Sequence, residues 1–78
     1  VIENEFDLVV ANIQKDILLQ IKNEIRKRVK MNGKVILSGL ILSDREQIKN
    51  DYEELNFKLI DSSISGEWLS LVFQLMSY

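Results

Sequence analysis

The feature that most constrains the fold is a short apolar run near the start of the chain, FDLVVANI (Phe6–Ile13). The run is rich in valine and stops at the polar residue Asn12. Such a run is typical of a strand that is buried on both faces of a parallel sheet, and we predict one over Phe6–Ala11. In open α/β sheets ligands bind just beyond the carboxyl ends of the strands, and Asn12 lies at that end.

Composition narrows the classes of function. The chain has 78 residues, so we expect a single domain, and it contains neither cysteine nor histidine. Disulfides, thiolate metal sites and cysteine nucleophiles are excluded, and so are most hydrolase and metalloenzyme mechanisms. A net charge of −2 gives no overall case for nucleic-acid binding. No apolar run reaches the ~20 residues that span a bilayer, and we expect a cytoplasmic protein.

The start of the chain also suggests an expectation. The sequence begins at Val1 without a methionine. A short acidic lead-in, Val1–Glu5, precedes a strand of the buried type. We therefore expect residues 1–78 to be a single partial domain cut from a larger protein.

The next stretch changes to helical periodicity. Four β-branched residues recur at every fourth position and predict one apolar stripe on a helix from Ile13 to about Met31: Ile17, Ile21, Ile25 and Val29. Asn12 or Asp16 is the predicted N-cap. Asn32–Gly33 is the predicted stop, because both residues tolerate the left-handed conformation that ends helices.

A second strand and a second helix follow. KVILSGLIL (Lys34–Leu42) predicts another buried strand, and the glycine of Ser38–Gly39 would permit a close backbone approach or the exit of the strand. Ser43 and Glu46 form a predicted capping box. The helix that it opens carries three apolar residues on one face and is predicted to end at Asn56: Ile48, Tyr52 and Leu55.

Two β-type runs complete the chain. Phe57–Ile64 and Trp68–Met76 are joined by Ser65–Glu67, which predicts a hairpin. The order is therefore β-α-β-α-β-β, with the first two strands parallel and adjacent. Either hairpin strand can lie next to the second strand, and the strongly apolar Trp68–Met76 is the better candidate for the inner position.

Most polar groups have a structural explanation. Six of the basic residues lie on the first helix. A solvated helix face explains these residues better than phosphate binding does, because no aromatic residues are interleaved among them. The acidic residues around Asp51 are interpreted as solvated, and Trp68 as a core residue. Ser38 and Ser62–Ser63 have no obvious base, and no glycine loop of the phosphate-binding type exists. Asn12 remains the candidate, against the alternative of a turn or cap.

Taken together, these segments resemble the ribosomal protein L-eleven methyltransferase (PrmA) family. The resemblance rests on DLVVANI, the ILSG of the second strand, and the GEW that opens the last strand, in order and at near-family spacing. It covers essentially the whole chain and corresponds to the C-terminal half of the catalytic domain.

The resemblance implies a Rossmann-like methyltransferase sheet of seven strands, of which this chain supplies the last four. It implies transfer of a methyl group from S-adenosylmethionine to an amine, such as that of lysine, in a large-subunit ribosomal protein. It also implies that Asn12 contacts the methyl donor and that Ile13 lines the same wall. The family's glycine-rich loop and its ribose-binding acid are absent here, and we expect the chain alone to be inactive and to bind the cofactor weakly or not at all.

Two alternatives remain open. The first is a non-catalytic α/β interaction module that pairs through the edge of Phe6–Ala11, and the second is a methyltransferase of the same fold with another substrate. An uncovered apolar edge invites association, and we expect the isolated chain to self-associate there.

Overall fold

A computed structural model describes residues 6–76 of the chain. The predicted lead-in, Val1–Glu5, lies outside the described residues. The elements are β1 (Phe6–Asn12), α1 (Lys15–Arg28), β2 (Val29–Ile41), a 3₁₀ turn (Leu42–Asp44), α2 (Arg45–Glu53), β3 (Phe57–Ser65) and β4 (Trp68–Leu75). The predicted α/β order is confirmed. Within the described part of the chain, neither helix is long and apolar enough to cross a membrane.

The sheet has the strand order β1-β2-β4-β3. β1 is parallel to β2, whereas β4 runs antiparallel to both of its neighbours. The predicted insertion of the last strand is therefore confirmed. The burial of β4 shows why it is inner, because its alternate residues from Leu69 to Leu75 are almost completely buried while β3 is exposed along most of its length.

Both helices contribute to one hydrophobic core on one side of the sheet. α1 contributes Leu18 and Ile25, and α2 contributes Ile48 and Tyr52. They pack against the buried residues of the two central strands, which alternate along the sequence except at the register shift between Leu37 and Leu40: Val35, Leu37, Leu40, Leu69, Leu71, Phe73 and Leu75. Side chains of opposite parity on each strand point to the other face. The described residues leave that second face open.

Tyr52 joins the two helices. Its ring stacks on Phe73 with centroids 5.4 Å apart and lies 5.6 Å from the ring of Phe57. Its hydroxyl donates to the carbonyl oxygen of Leu18 over 3.1 Å. Burial, with a smaller contribution from the negative charge of Asp51, raises the pKa of Tyr52 well above its usual value. The phenol is therefore a neutral, fixed donor at ordinary pH.

The first helix differs from its prediction at both ends. It begins at Lys15 after Gln14, and no side chain caps it, so neither Asn12 nor Asp16 has the predicted role. The predicted apolar stripe is confirmed at Ile21, Ile25 and Val29, which lie in or pack against the core, and is wrong at Ile17, which is 43% exposed. The two buried residues of α1 are Leu18 and Ile25. Their separation fits a helical period of 3.6 residues better than a strict period of four.

The second strand begins earlier than predicted. Val29 already has an extended backbone and pairs with Phe6 as the first residue of β2. The helix therefore ends before Val29 and not at Asn32–Gly33. Asn32 does take the left-handed conformation, with φ 69°, inside an irregular part of β2. The β-branched Val29, only 3% exposed, favours the strand over a further helical turn.

The start of α2 also differs. Ser43 does not act with Glu46 as a capping box, because a 3₁₀ turn precedes the helix and Asp44 is its N-cap residue. The carboxylate of Asp44 instead accepts from the backbone N–H of Ile41 over 3.0 Å. The helix ends at Glu53, three residues before the predicted Asn56, which has a left-handed φ of 72°.

The first strand is not buried on both faces as predicted. Leu8 is 52% exposed and Val10 is 62% exposed. Among the strands that the structure describes, β1 has β2 alone as a neighbour, and the side chains of Leu8 and Val10 point to the face that the helices do not cover. Val9 and Ala11, of opposite parity, pack against the core.

Candidate functional site

Asn12 lies at the carboxyl end of β1, as predicted, directly opposite Ser38 of β2. Gly39 follows Ser38 with φ 77°. A Cβ atom on Gly39 would lie 2.6 Å from Oδ1 of Asn12 and 3.5 Å from the backbone nitrogen of Ile13. The amide of Asn12 therefore occupies space that only a glycine leaves free. The predicted close approach at Ser38–Gly39 is confirmed, and the pairing of β2 with β4 is irregular at the same point.

A pocket of about 410 Å³ opens beside Asn12. It is lined by one amide, two hydroxyls, one indole and one glycine: Asn12, Ser38, Ser70, Trp68 and Gly39. The side chains lie on the face of the sheet that the helices leave open. None of these groups ionises near neutral pH. The pocket can therefore orient a ligand through hydrogen bonds and contact, but its lining side chains cannot act as a general base.

Ile13 follows Asn12 along the chain. Its backbone nitrogen and oxygen both face Gly39, and its side chain is partly buried against the hydrophobic core. The residues that line the pocket do not include it. Its contact with a cofactor stays a prediction.

Trp68 is the site residue that sequence reasoning missed. It was predicted to be a core residue, which is wrong, since its side chain is 58% exposed. The alternation in β4 already contained the signal. Leu69, Leu71 and Phe73 share one parity and form the core, so Trp68 has to share the opposite face with Ser70.

A second pocket of about 390 Å³ adjoins the first. It lies between the end of β2 and the β3–β4 turn, and Trp68 lines both pockets. Its walls are mostly apolar, including Leu42 and Ile64, and Glu67 adds a carboxylate. Trp68 is therefore shared by the pocket at Asn12 and by a second pocket that the side chain of Glu67 also lines.

The charged residues of the helices lie away from this pocket. Lys22 pairs with Asp51 at 3.1 Å, and Nε of Arg26 donates to the carbonyl oxygen of Leu55 over 3.1 Å. The solvated faces predicted for the basic helix and for the acidic residues around Asp51 are therefore interrupted at these positions, where the side chains of Lys22 and Asp51 pair with each other and are only partly exposed. The contacts hold α1 to α2 on the covered face of the sheet. In the described ranges, no group of three acidic side chains is placed to hold a metal ion.

A third pocket, of about 450 Å³, runs along the free edge of β1. Apolar side chains of β1 and α1 line it, with one charged pair at the rim: Phe6, Leu8, Val9, Ile21, Ile25, Glu24 and Arg28. It is a groove between an edge strand and a helix, on the far side of β1 from β2.

Comparisons with known proteins give one consistent family. Residues 1–76 match the family model described as ribosomal protein L11 methyltransferase (PrmA). A curated protein of that name from Desulforapulum autotrophicum is 40% identical over 92% of this chain and 24% of its own length. The chain therefore spans about a quarter of that relative.

Solved structures show the same fold. The ribosomal protein L11 methylase of Lactobacillus delbrueckii subsp. bulgaricus superposes with a TM-score of 0.88 and 28% identity, over 97% of this chain and 40% of that one. The N-methyltransferase NodS of Bradyrhizobium japonicum, solved in complex with S-adenosyl-L-homocysteine, gives a TM-score of 0.68 at 14% identity, over 96% of this chain and 48% of that one. At that identity the second likeness shows the Rossmann-like methyltransferase fold alone.

Proposed function

Since this chain belongs to the ribosomal protein L11 methyltransferase (PrmA) family, we propose that it is the carboxyl-side half of a catalytic domain that methylates an amine of ribosomal protein L11. The methyl donor is S-adenosylmethionine, and the protein works in the cytoplasm. The observation that carries the proposal is the amide of Asn12, held over β2 at the carboxyl ends of two parallel strands. Ligands bind at that edge in open α/β sheets.

Asn12 acts by positioning. Its side-chain carbonyl accepts a hydrogen bond from the target amine and turns the lone pair of the nitrogen towards the methyl group. Correct orientation of two reactants supplies a large part of a catalysed rate, and displacements of about 1 Å can lower it 10²-fold. Since the lining side chains do not titrate near neutral pH, the amine loses its proton to solvent or to a group outside this pocket.

We infer that this pocket receives one end of the cofactor. Asn12 and the space above Gly39 would accept its amino-acid and methyl end. Ile13, whose backbone faces Gly39 but which does not line the pocket, is proposed to contact the cofactor beside it. When bound, S-adenosylmethionine supplies an electrophilic methyl group on a sulfonium. The chain contains no glycine-rich loop and offers no acidic side chain in this pocket for the ribose. We infer that the 78-residue chain alone is inactive, and we expect no cofactor binding by calorimetry.

The test uses the whole protein that the parent reading frame encodes. An upstream glycine-rich strand-loop-helix is expected there, and a frame without one would contradict the enzymatic function. Purified protein is incubated with labelled S-adenosylmethionine and ribosomal protein L11. Asn12→Ala is expected to lower kcat roughly 10- to 100-fold. Asn23→Ala, on the exposed surface of α1, is the matched control and should leave kcat unchanged. Full activity of Asn12→Ala would refute the positioning role.

A second candidate is a non-catalytic module that pairs through the Phe6–Ala11 edge. The groove along β1 and the 45% exposure of Phe6 favour it, because unpaired apolar edges recruit further strands. The expected occupant is a second copy of the chain. Sedimentation of the isolated chain at high concentration distinguishes the outcomes, and a clean monomer would count against the pairing.

A further inference from the structure

We propose that the second pocket, between the end of β2 and the β3–β4 turn, binds an apolar side chain of the methyl-accepting protein close to the target amine. The inference rests on the proposed function and names the part of the substrate that the enzyme recognises. The occupant is an extended, positively charged segment that carries the target amine and an apolar residue about three positions away from it.

The second pocket is built from apolar side chains that remain exposed. Ile41 ends β2, Leu42 opens the 3₁₀ turn, and Ile64 lies near the end of β3. Leu42 is 59% exposed and Ile64 is 61% exposed, although both line the same pocket. Single exposed apolar residues are normal on a protein surface, whereas a contiguous group of them marks a binding site. Within residues 6–76 nothing covers this group.

β2 connects this pocket to the pocket beside Asn12. Ser38 and Gly39 line the pocket at Asn12, and Ile41 and Leu42 line the second one. Ile41 follows Ser38 by three residues, a distance of at most about 10 Å along a strand. A substrate peptide in extended conformation covers the same distance in about three residues. A side chain bound in the second pocket therefore brings an amine about three positions away within reach of Asn12.

The charge of the second pocket favours a cationic occupant. Glu67 lines it, the lining includes neither lysine nor arginine, and no ion pair involves Glu67 in the part of the chain that the structure describes. An amine is an ammonium ion before it loses its proton, so the segment that carries it brings a positive charge. A second copy of this chain fits less well, because its net charge is −2 and it would meet a carboxylate.

The test is a kinetic comparison in the whole protein with ribosomal protein L11 as substrate. Leu42→Gln and Ile64→Thr each remove an apolar contact at an exposed position, and each is expected to raise KM about 3- to 10-fold. The kcat, and the Kd for S-adenosyl-L-homocysteine measured by calorimetry, should change less than about twofold, because the lost contact is made before and during transfer alike. Ile60→Thr is the matched control and should leave KM unchanged, since Ile60 is exposed on the same strand but outside the pocket.

The charge of Glu67 has a separate test. Glu67→Gln keeps the shape of the side chain and is expected to raise KM at low salt. It should also make KM less dependent on salt than in the unmodified protein, because salt screens attraction between exposed charges. A salt dependence equal to that of the unmodified protein would contradict the role of this carboxylate.

A change in the substrate tests the spacing. Mass spectrometry of the product locates the methylated residue, and the apolar residues up to about four positions on either side of it are changed to serine one at a time. The change about three positions from the amine is expected to raise KM for the unmodified enzyme. The same change should have a smaller effect on Leu42→Gln, because the pocket that binds the side chain is already impaired.

The outcomes separate this proposal from the proposed function. An unchanged KM in both Leu42→Gln and Ile64→Thr would overturn the proposal and leave the methyltransferase function standing. An equal rise in Ile60→Thr, or a weaker Kd for S-adenosyl-L-homocysteine with unchanged KM, would also overturn it. If the unmodified protein transfers no methyl group to ribosomal protein L11, the proposed function itself fails. Urea unfolding verifies that the variants are folded, and the two tested positions lie on different elements, so either variant alone can decide the result.

Discussion

The sharpest prediction concerns Gly39→Ala, because the structure separates two costs at this position. The first cost is conformational, since Gly39 has φ 77° and an alanine in the left-handed region costs about 1–2 kcal/mol. Part of this is offset by the reduced entropy of the unfolded chain, about 0.4–1 kcal/mol. The second cost is steric, since the new Cβ would lie 2.6 Å from Oδ1 of Asn12.

The steric cost falls on a side chain that can move. Oδ1 is the end of the Asn12 side chain, so the amide rotates away instead of forcing the backbone apart. An off-rotamer side chain costs about 0.5–1.5 kcal/mol. We therefore expect Gly39→Ala to destabilise the fold by about 1–2.5 kcal/mol in total and to displace the amide that we propose positions the target amine.

Gly66→Ala is the matched control. Gly66 also has a positive φ, 62°, but a Cβ there would meet nothing within 4 Å. It should therefore show the conformational cost alone. In an Asn12→Ala background the steric cost disappears, and Gly39→Ala should become only as destabilising as Gly66→Ala.

The assay is urea unfolding of the four single and double variants, with the free energies of unfolding combined in a double-mutant cycle. We expect a coupling of about 0.5–1.5 kcal/mol between Asn12 and Gly39. In the methyl-transfer assay Gly39→Ala should lower kcat as Asn12→Ala does, whereas Gly66→Ala should not. A coupling of zero, or a Gly39→Ala variant as active as Gly66→Ala, would refute the idea that this glycine exists to admit the amide.

Three further predictions address the core, the turn before α2 and the edge. Tyr52→Phe removes the 3.1 Å hydrogen bond to Leu18 and should lower the free energy of unfolding by about 0.5–1.5 kcal/mol in urea. Because the pKa of Tyr52 is raised in the folded state, its phenol loses a proton at lower pH in the unfolded chain than in the folded one. The free energy of unfolding should therefore fall as the pH rises above about 10. The same alkaline loss in the Tyr52→Phe variant would contradict this. Asp44→Ala removes the acceptor for the Ile41 N–H and a 3.8 Å ion pair with Lys15. Thermal unfolding followed by circular dichroism should show that the free energy of unfolding falls by about 0.5–1 kcal/mol. The control Gln47→Ala, at an exposed position of α2, should leave it unchanged. Val10→Lys places a charge on the exposed edge strand and should abolish any self-association seen by sedimentation, and persistence of the dimer would exclude this edge.

The topology and the position of Asn12 could be predicted because they depend on long-range pattern. The two helical segments lie between β runs, and β4 is more apolar than β3, which was enough to place it inside the sheet. Asn12 is the first polar residue after the apolar run of β1, and this change of polarity coincides with the end of the strand.

The local predictions failed where tertiary contacts outweigh local signals. Val29 fits the helical stripe of α1, but its pairing with Phe6 draws it into β2. Ser43 and Glu46 have the spacing of a capping box, but the 3₁₀ turn moves the helix start to Arg45. Trp68 was assigned by its residue type, although its position in the alternation of β4 places it on the open face.

The strand order also has a consequence for how the chain can fold during synthesis. Within residues 6–76, β3 pairs with β4 alone, and β4 is made after β3. Until the ribosome has released Trp68–Leu75, β3 has no strand to pair with and β2 has one unpaired side. Pairings between distant segments form late and slowly, because the loop must close before the contacts repay it. β4 therefore completes the sheet. A nascent chain stalled before β4 would leave one side of β2 unpaired and β3 without a partner strand, in addition to the outer edge of β1.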